Sequence, residues 1–397
     1  MSAISNHFFT HFNYNPSLAV QSPGRINLIG EHTDYNNGFV LPAAIDKYVQ
    51  VAIGKRTDGN IHMAAIDLNK IATVSIQNLK PHSSQWVNYI IGVVYQAIHT
   101  IASSKNHNST QLEAINKGFD ICIKGNIPSG AGLSSSAAVE CAVLFAINEL
   151  YELQFTKMEM ALMAQKAEND FAGVQCGLMD MFASIHGQKN KVILLDCASL
   201  DFHYYPLDLT DYSIVLFDTQ IKHALASSEY NTRRQECEQG VQRIQQMHPL
   251  VKTLRDVTME QVETYLGPST DTPPNIYKRC KYMVAEILRV QAAVKDLEVG
   301  AMQAFGKKMF ETHEGLSKMY EVSCPELDFL VEAVKDNENV IGARMMGAGF
   351  GGCTINIIKK AALDAVTQKV AASYAKQTNK ELVVYVNSIE EGTHLIK

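Results

Sequence analysis

The stretch "SSAAVECAVLFAINELY", residues 135–151, constrains this chain more than any other. It reads as a helix that is apolar nearly all round, and such a helix must be buried in the middle of a domain. Directly before it stands "GNIPSGAGLSSS", and before that the strand-like "FDICIKG". The nucleus of the fold is therefore strand, glycine–serine loop, buried helix. Gly130 and Gly132 allow a tight turn and a close backbone approach to a ligand. Ser134, Ser135 and Ser136 fall at the helix N-terminus, where unpaired amides and the helix dipole favour an anion. The bland reading is a well-capped helix, because serine is a preferred cap. One cap needs one serine, and three follow the G-x-G. The spacing is not that of a Walker A loop, since no Gly-Lys-Ser/Thr follows.

The chain has 397 residues, enough for two or three domains. "LAVQSPGRINLIG" and "FVLPAAIDKYVQVAIGKR" predict further strands, and residues 86–102 and 157–172 predict helices. After "KVILLDCASLDFHYYPL" the pattern restarts. A strand "YSIVLFDT" leads to a more polar helix from Glu229 to about Met247. Residues 249–275, with "GPSTDTPP", read as a connecting segment. More helices run to about residue 336, and "CTINIIKK" and "ELVVYVNS" close the chain as strands. The expected boundary lies near residues 196–210, dividing the chain into 1–200 and 201–397.

"GRINLIGEHTDYNNG", residues 24–38, starts as a strand and then crowds Glu31, His32, Asp34, Tyr35, Asn36 and Asn37 into one loop. That density suits a polar ligand, while Asn36, Asn37 and Gly38 suit a turn into the next strand. "GAGFGGC", residues 347–353, formally matches G-x-G-x-x-G. It is rejected as a dinucleotide fingerprint, which needs a helix after it, because a strand follows. It is either a tight turn packed on a neighbour or a backbone surface closing over a ligand. Glu168 shares a helical face with Ala161, Ala164 and Phe171, so it needs a partner, a basic side chain or a metal. Asp180, in "CGLMDMFASIHG", is either one half of a buried Asp–Arg pair or a base beside a reacting hydroxyl.

A net charge of −6 without a Lys/Arg-rich run argues against nucleic-acid or anionic-membrane partners. Backbone amides could still bind an anionic cofactor. No window of eighteen uninterrupted apolar residues occurs, which argues against a membrane span. Eight dispersed cysteines without C-x-x-C read as reduced thiols, not a disulfide framework or zinc site. The N-terminus lacks the basic start and apolar stretch of a signal peptide, so a cytoplasmic protein is expected. Oligomeric partners are not indicated.

Three segments, Gly24–Ile45, Pro128–Glu140 and Gly347–Cys353, together resemble the motifs of the GHMP small-molecule kinases. The first is similar to the galactokinase signature. "AENDFAGVQCGLMD" and "SSEYNTRRQECE" also resemble galactokinase segments, and all five keep their order along the chain. The resemblance implies an α+β, two-domain GHMP-kinase architecture. The N-terminal domain would be α/β with a mixed sheet, the C-terminal domain helices packed on an antiparallel sheet, with the active site between them. It implies ATP-dependent phosphorylation of the C1 hydroxyl of α-D-galactose.

Carried onto matching positions, the resemblance implies that Asp180 is the catalytic base, paired with Arg25. Glu31, His32, Asp34, Gly177 and Tyr230 would hold the sugar. Gly130, Ala131, Gly132, Leu133, Ser134, Ser135 and Ser136 would cradle the ATP phosphates, and Trp86 matches an aromatic position near the adenine. Ser136 and Glu168 would hold Mg2+, which prefers hard oxygen ligands. Met181 and Asn169 depart from the residues many galactokinases carry there, at positions without an assigned catalytic role. The alternatives are a kinase for N-acetylgalactosamine, galactosamine or arabinose, and a non-catalytic sugar and ATP sensor. Against the sensor, "GLSSSAA", Arg25 and Asp180 are all intact.

Overall fold

The apolar helix occupies Ser135–Tyr151, and Ala137, Cys141, Val143, Leu144 and Ile147 on its various faces are all inaccessible to solvent. It is wrapped on one side by a sheet and on others by the helices Gln85–Ser103, Lys157–Ala167 and Met179–His186. This computed structural model describes residues 2–103, 109–128, 130–221 and 226–397, so Ser129 of the serine loop lies outside the described residues.

The strands are β1 (Leu18–Asn27), β2 (Phe39–Val40), β3 (Pro42–Lys55), β4 (Asn60–Ala65), β5 (Lys70–Ser75), β6 (Gly118–Gly125), β7 (Lys191–Asp196) and β8 (Phe202–Pro206). They continue with β9 (Tyr212–Asp218), β10 (Val340–Met345), β11 (Cys353–Lys359), β12 (Val383–Asn387) and β13 (His394–Leu395). The first sheet has the order β13-β1-β3-β6-β4-β5, and its β4–β6 pair is parallel while the rest are antiparallel. The second, β10-β11-β9-β12, is antiparallel throughout. A small sheet β2-β7-β8 joins a short strand that falls between β1 and β3 to the hairpin β7–β8. The helices Ala226–Gln245, Pro274–Glu298, Met302–Gly315, Pro325–Lys335 and Leu363–Thr378 accompany the second sheet. The architecture is the expected α+β arrangement of a mixed sheet with helices followed by an antiparallel sheet with helices.

Two large apolar cores follow. One lies between the first sheet and its helices. The other joins Ile26, Leu28 and Ile29 of the polar loop's stem to Ile214, Leu216 and Ile355 of the second sheet and to Met283 and Ile287 of a helix. That second core fixes the loop at 28–38 against the C-terminal half.

Three features depart from the reading of the sequence. The segment 249–275 is not simply connecting, for it contains a helix, Met259–Leu266, whose Thr258 and Gln261 form a reciprocal capping box. The T-x-x-Q signal ahead of Val262 and Leu266 was present and was masked by the following "GPSTDTPP". A helix at Leu363–Thr378 intervenes between β11 and β12. The helix expected to run to Ala172 is α-helical only to Ala167 and widens into a π turn over Glu168–Ala172. Residue 200 falls between β7 and β8, and β13 returns to pair with β1 at the edge of the first sheet. All eight cysteines are free.

Candidate active site

The end of β1 delivers Arg25 from a buried position. Its Nε donates to Asp180 Oδ1 at 2.7 Å and its Nη2 to Oδ2 at 2.9 Å, a bidentate pair. Nη1 donates to the Gly132 carbonyl at 2.7 Å. One guanidinium thus ties the first turn of the helix Met179–His186 to the serine loop.

The serine loop is not capped as an ordinary helix start. Ser134, the N-cap residue, has φ +57 and makes no capping bond. Its hydroxyl donates to Asp180 Oδ2 at 2.5 Å. Ser136 bonds the Glu168 carboxyl. The hydroxyls face carboxylates, and the helix amides are left without a side-chain cap. That geometry favours the anion-site reading over the bland one. Ala131 and Leu133 are buried and pack into the second core. Gly130 and Ser135 are exposed at the loop's rim.

Glu168 lies in the π turn, a distortion that often marks functional sites. Burial, foremost, lifts its pKa to about 7. Glu140 is fully buried, and the Glu168 carboxyl is its side-chain hydrogen-bonding neighbour. Burial and then the Glu168 charge hold Glu140 well above the carboxylate range, so the two acids can share one proton. Glu140 was missed in the sequence, although a lone acid inside "AAVECAVLFA" is the signal for it.

The polar loop forms the opposite wall. Glu31 accepts from Arg344 Nη2 at 3.0 Å and from the Gly347 amide at 2.8 Å, both on Oε1, and from Asn27 on Oε2 at 3.1 Å. Fully buried Arg344 also donates to the carbonyls of Asn27, Leu28 and Met345. The glycine loop at 347–353 is therefore locked onto the polar loop by Glu31. Arg344 was not singled out in the sequence; an arginine in the apolar run "VIGARMMG" is the clue that a partner must exist. His32 has φ +66, and burial lowers its pKa to about 4. Asp34 accepts from the Tyr35 amide at 3.0 Å, yet burial and then the Asp180 charge raise its pKa to about 7. Gly177 packs directly on this carboxyl, for a Cβ there would come within 2.0 Å of Asp34 Oδ2.

These walls enclose a cavity of about 280 Å³, small enough to suit a compact ligand. Arg25, Glu31, His32, Asp34, Gly132, Ser134, Glu168, Gly177, Asp180 and Tyr230 all line it, with Gly347 and Ala348 of the glycine loop at 347–353. Trp86 is not among its lining residues; it is half-buried against the first core at the start of the helix Gln85–Ser103. No cluster of three or more His, Cys, Asp or Glu side chains suited to a metal occurs among the described residues.

Residues 6–55 match the galactokinase galactose-binding signature, 88–188 the GHMP kinases N terminal domain, and 293–376 the GHMP kinases C terminal domain. The galactokinase of Clostridium beijerinckii is 40% identical over 380 residues, covering 94% of this chain and 94% of its own. That of Roseiflexus sp. is 37% identical over 385 residues, covering 97% and 94%. The structure of Lactococcus lactis galactokinase complexed with galactose superposes with a TM-score of 0.90 at 32% identity, covering 99% of this chain and 98% of that one. A Methanococcus jannaschii mevalonate kinase, at 16% identity and a TM-score of 0.62, shares the fold. With three family segments matched in order and relatives similar across nearly the full length, the chain belongs to the galactokinase family of GHMP kinases.

Proposed function

We propose that this protein transfers the γ-phosphoryl group of ATP to the C1 hydroxyl of α-D-galactose, giving galactose 1-phosphate and ADP. The observation that carries the reading is the single cavity in which the Arg25–Asp180 pair and Ser134 face Glu31, His32, Asp34, Gly177 and Tyr230. The sugar would rest against the second group. The phosphates would lie along Gly130–Ser136, with the adenine toward Trp86.

Asp180 has two oxygens and three donors already on them, from Arg25 twice and from Ser134. A lone pair remains for the C1 hydroxyl. Arg25 holds the carboxylate oriented through two hydrogen bonds, and Asp180 accepts the hydroxyl proton as the phosphoryl group is transferred. Arg25 also supplies fixed positive charge beside the transferring group. Catalysis of this kind is mostly positioning and charge neutralisation.

Three carboxyl groups, Asp180, Glu168 and Glu140, adjoin the anion site, so a triphosphate there requires a cation. The donor set fits Mg2+, which commonly takes one or two protein oxygens and leaves its remaining positions to phosphate and water. Glu168 and Ser136 would hold it. When bound, Mg2+ would neutralise the developing charge on the phosphoryl oxygens. Dispersed free thiols support a cytoplasmic enzyme, and we take 1–200 and 201–397 as its two domains.

The test is the initial rate of ADP formation with galactose and with analogues altered at C2 and C4. Galactose-dependent ADP release with phosphate recovered at C1 is expected. No release at saturating substrates would favour a sensor, and a higher kcat/KM for N-acetylgalactosamine would reassign the substrate.

A further inference from the structure

Glu286 is a fully buried acid that belongs to no motif of the sequence and is not among the lining residues of the cavity. It sits on the helix Pro274–Glu298, in the C-terminal half. Three donors converge on its carboxylate. The Gly30 amide donates to Oε1 at 3.0 Å. The Thr312 hydroxyl, from the helix Met302–Gly315, reaches Oε1 at 2.9 Å and Oε2 at 3.0 Å. Arg289, one turn along the same helix as Glu286, donates to Oε2 through Nη1. A backbone amide and a guanidinium can only donate, so the direction of the Gly30 and Arg289 bonds is fixed by chemistry.

Two of these donors belong to the helices packed around Glu286, and they alone would make a structural staple. Gly30 does not belong there. It is the residue before Glu31, at φ +90, in the polar loop that walls the cavity. The helix approaches this loop closely. A Cβ on Gly30 would come within 2.8 Å of Val290 Cγ2, and one on Gly38 within 2.8 Å of Ile287 Cγ1. Both ends of the loop thus rest on one helix, with Ile287 and Val290 giving apolar contact and Glu286 the polar contact. Apolar contact is non-directional, whereas a hydrogen bond to a charged acceptor orients the peptide that makes it. Stability alone is a weak reason for such a group, since a buried acid–arginine pair can often be exchanged for apolar side chains at little cost.

We propose that Glu286 is a positioning residue for the sugar-facing loop, and that through the Gly30 amide it sets where Glu31 and His32 stand in the cavity wall. The proposal rests on the reading of that wall as a sugar site. Glu286 acts on the sugar through the loop and not by contact. A helix of the C-terminal half thereby determines the placement of binding groups in the N-terminal half.

The test uses the full-length double variant Glu286→Met/Arg289→Met, which replaces the charged pair by apolar side chains and leaves no buried charge unpaired. Amide hydrogen exchange is read without ligand, and the galactose and ATP KM are measured beside it. Exchange over 28–38 should rise roughly tenfold or more, the scale of one bond to a charged group, while exchange over 130–136 is unchanged. The galactose KM should rise on the same scale, with the ATP KM within about twofold of wild type. Thr312→Val removes a donor to Glu286 and leaves the Gly30 bond, so it should lower Tm without moving the exchange or the galactose KM. If the double variant does not fold, Glu286→Gln carries the same prediction. Its amide oxygen is drawn to Arg289, and its NH2 group then meets the Gly30 N–H, donor against donor. Wild-type exchange over 28–38 in the folded variant, or an equal change in Thr312→Val, overturns the proposal. Because exchange is read on ligand-free protein, that failure leaves the sugar-site reading standing. Faster exchange with an unmoved galactose KM would uphold the hold of Glu286 on the loop and remove the sugar-site reading.

Discussion

In the loop at 28–38, Glu31 accepts three hydrogen bonds, His32 meets Tyr35, Thr33 donates to two carbonyls, and Asn36 donates to the His32 carbonyl. In the loop at 130–136, Ser134 and Ser136 reach two carboxyls, and the helix start has no side-chain cap. The two loops border one cavity. The first is a finished surface, its groups already oriented before any ligand arrives. The second is left with helix amides that no side chain caps and with acids close by. A neutral, hydroxyl-rich ligand gains most from a preorganised wall, because little ordering remains to oppose binding. An anionic ligand can complete its own site, bringing a cation to the acids and acceptors to the amides. The contrast also says where each kind of damage should appear.

The largest effect should come from the junction of the two loops. Asp180→Asn removes the proton acceptor and preserves shape, so kcat should fall by at least about 10²- to 10⁴-fold while galactose still binds. Near-wild-type turnover in a steady-state assay would remove Asp180 from that role. Next is the finished wall. Gly177→Ala must displace the Asp34 carboxyl, which a Cβ would approach to 2.0 Å. Galactose affinity measured by calorimetry should drop roughly ten- to a hundredfold, the scale of a charge-assisted bond, with nucleotide affinity little changed. A loss confined to nucleotide would break the division between the loops. On the unfinished side, Glu168→Ala should raise the Mg2+ concentration for half-maximal rate by about tenfold or more. An unaltered Mg2+ requirement would contradict the ligand assignment.

The smallest effect concerns stability. Asp34 has a pKa of about 7 in the native state, raised mainly by burial above its ordinary 3.8. The native protein therefore holds this proton more tightly than the unfolded chain does. The favourable contribution is present at low pH and is lost as pH rises from about 4 to about 7. Asp34→Asn cannot ionise, so its Tm relative to wild type should increase by a few degrees between about pH 5 and pH 8. A difference that is flat or shrinks with pH would show that Asp34 is not a buried acid of this kind.

Much of the frame was legible because it rests on local pattern. The helix Ser135–Tyr151 and the strand at "FDICIKG" follow from periodicity and composition over a few residues. The ordered motifs named Arg25, Asp180 and the sugar-facing residues by resemblance, and the fold brings them to one cavity. What stayed hidden depends on distance along the chain. Arg344 meets Glu31 across 313 residues, and Tyr320 meets Tyr35 across 285. Neither pairing has a local signature. The Ser134–Asp180 bond was hidden for another reason: a serine before a helix reads as a cap, and only the left-handed turn at Ser134 redirects its hydroxyl.

The contrast between a finished and an unfinished wall is tested most directly by amide hydrogen exchange over 28–38 and 130–136. Exchange would be followed in the free protein and with Mg2+ and a non-hydrolysable ATP analogue. The amides of 28–38 should be protected in the free protein and change little on nucleotide binding. Those of 130–136 should exchange quickly until Mg2+ and nucleotide are both present. Fast exchange at 28–38 in the free protein, or slow exchange at 130–136 without nucleotide, would contradict the contrast.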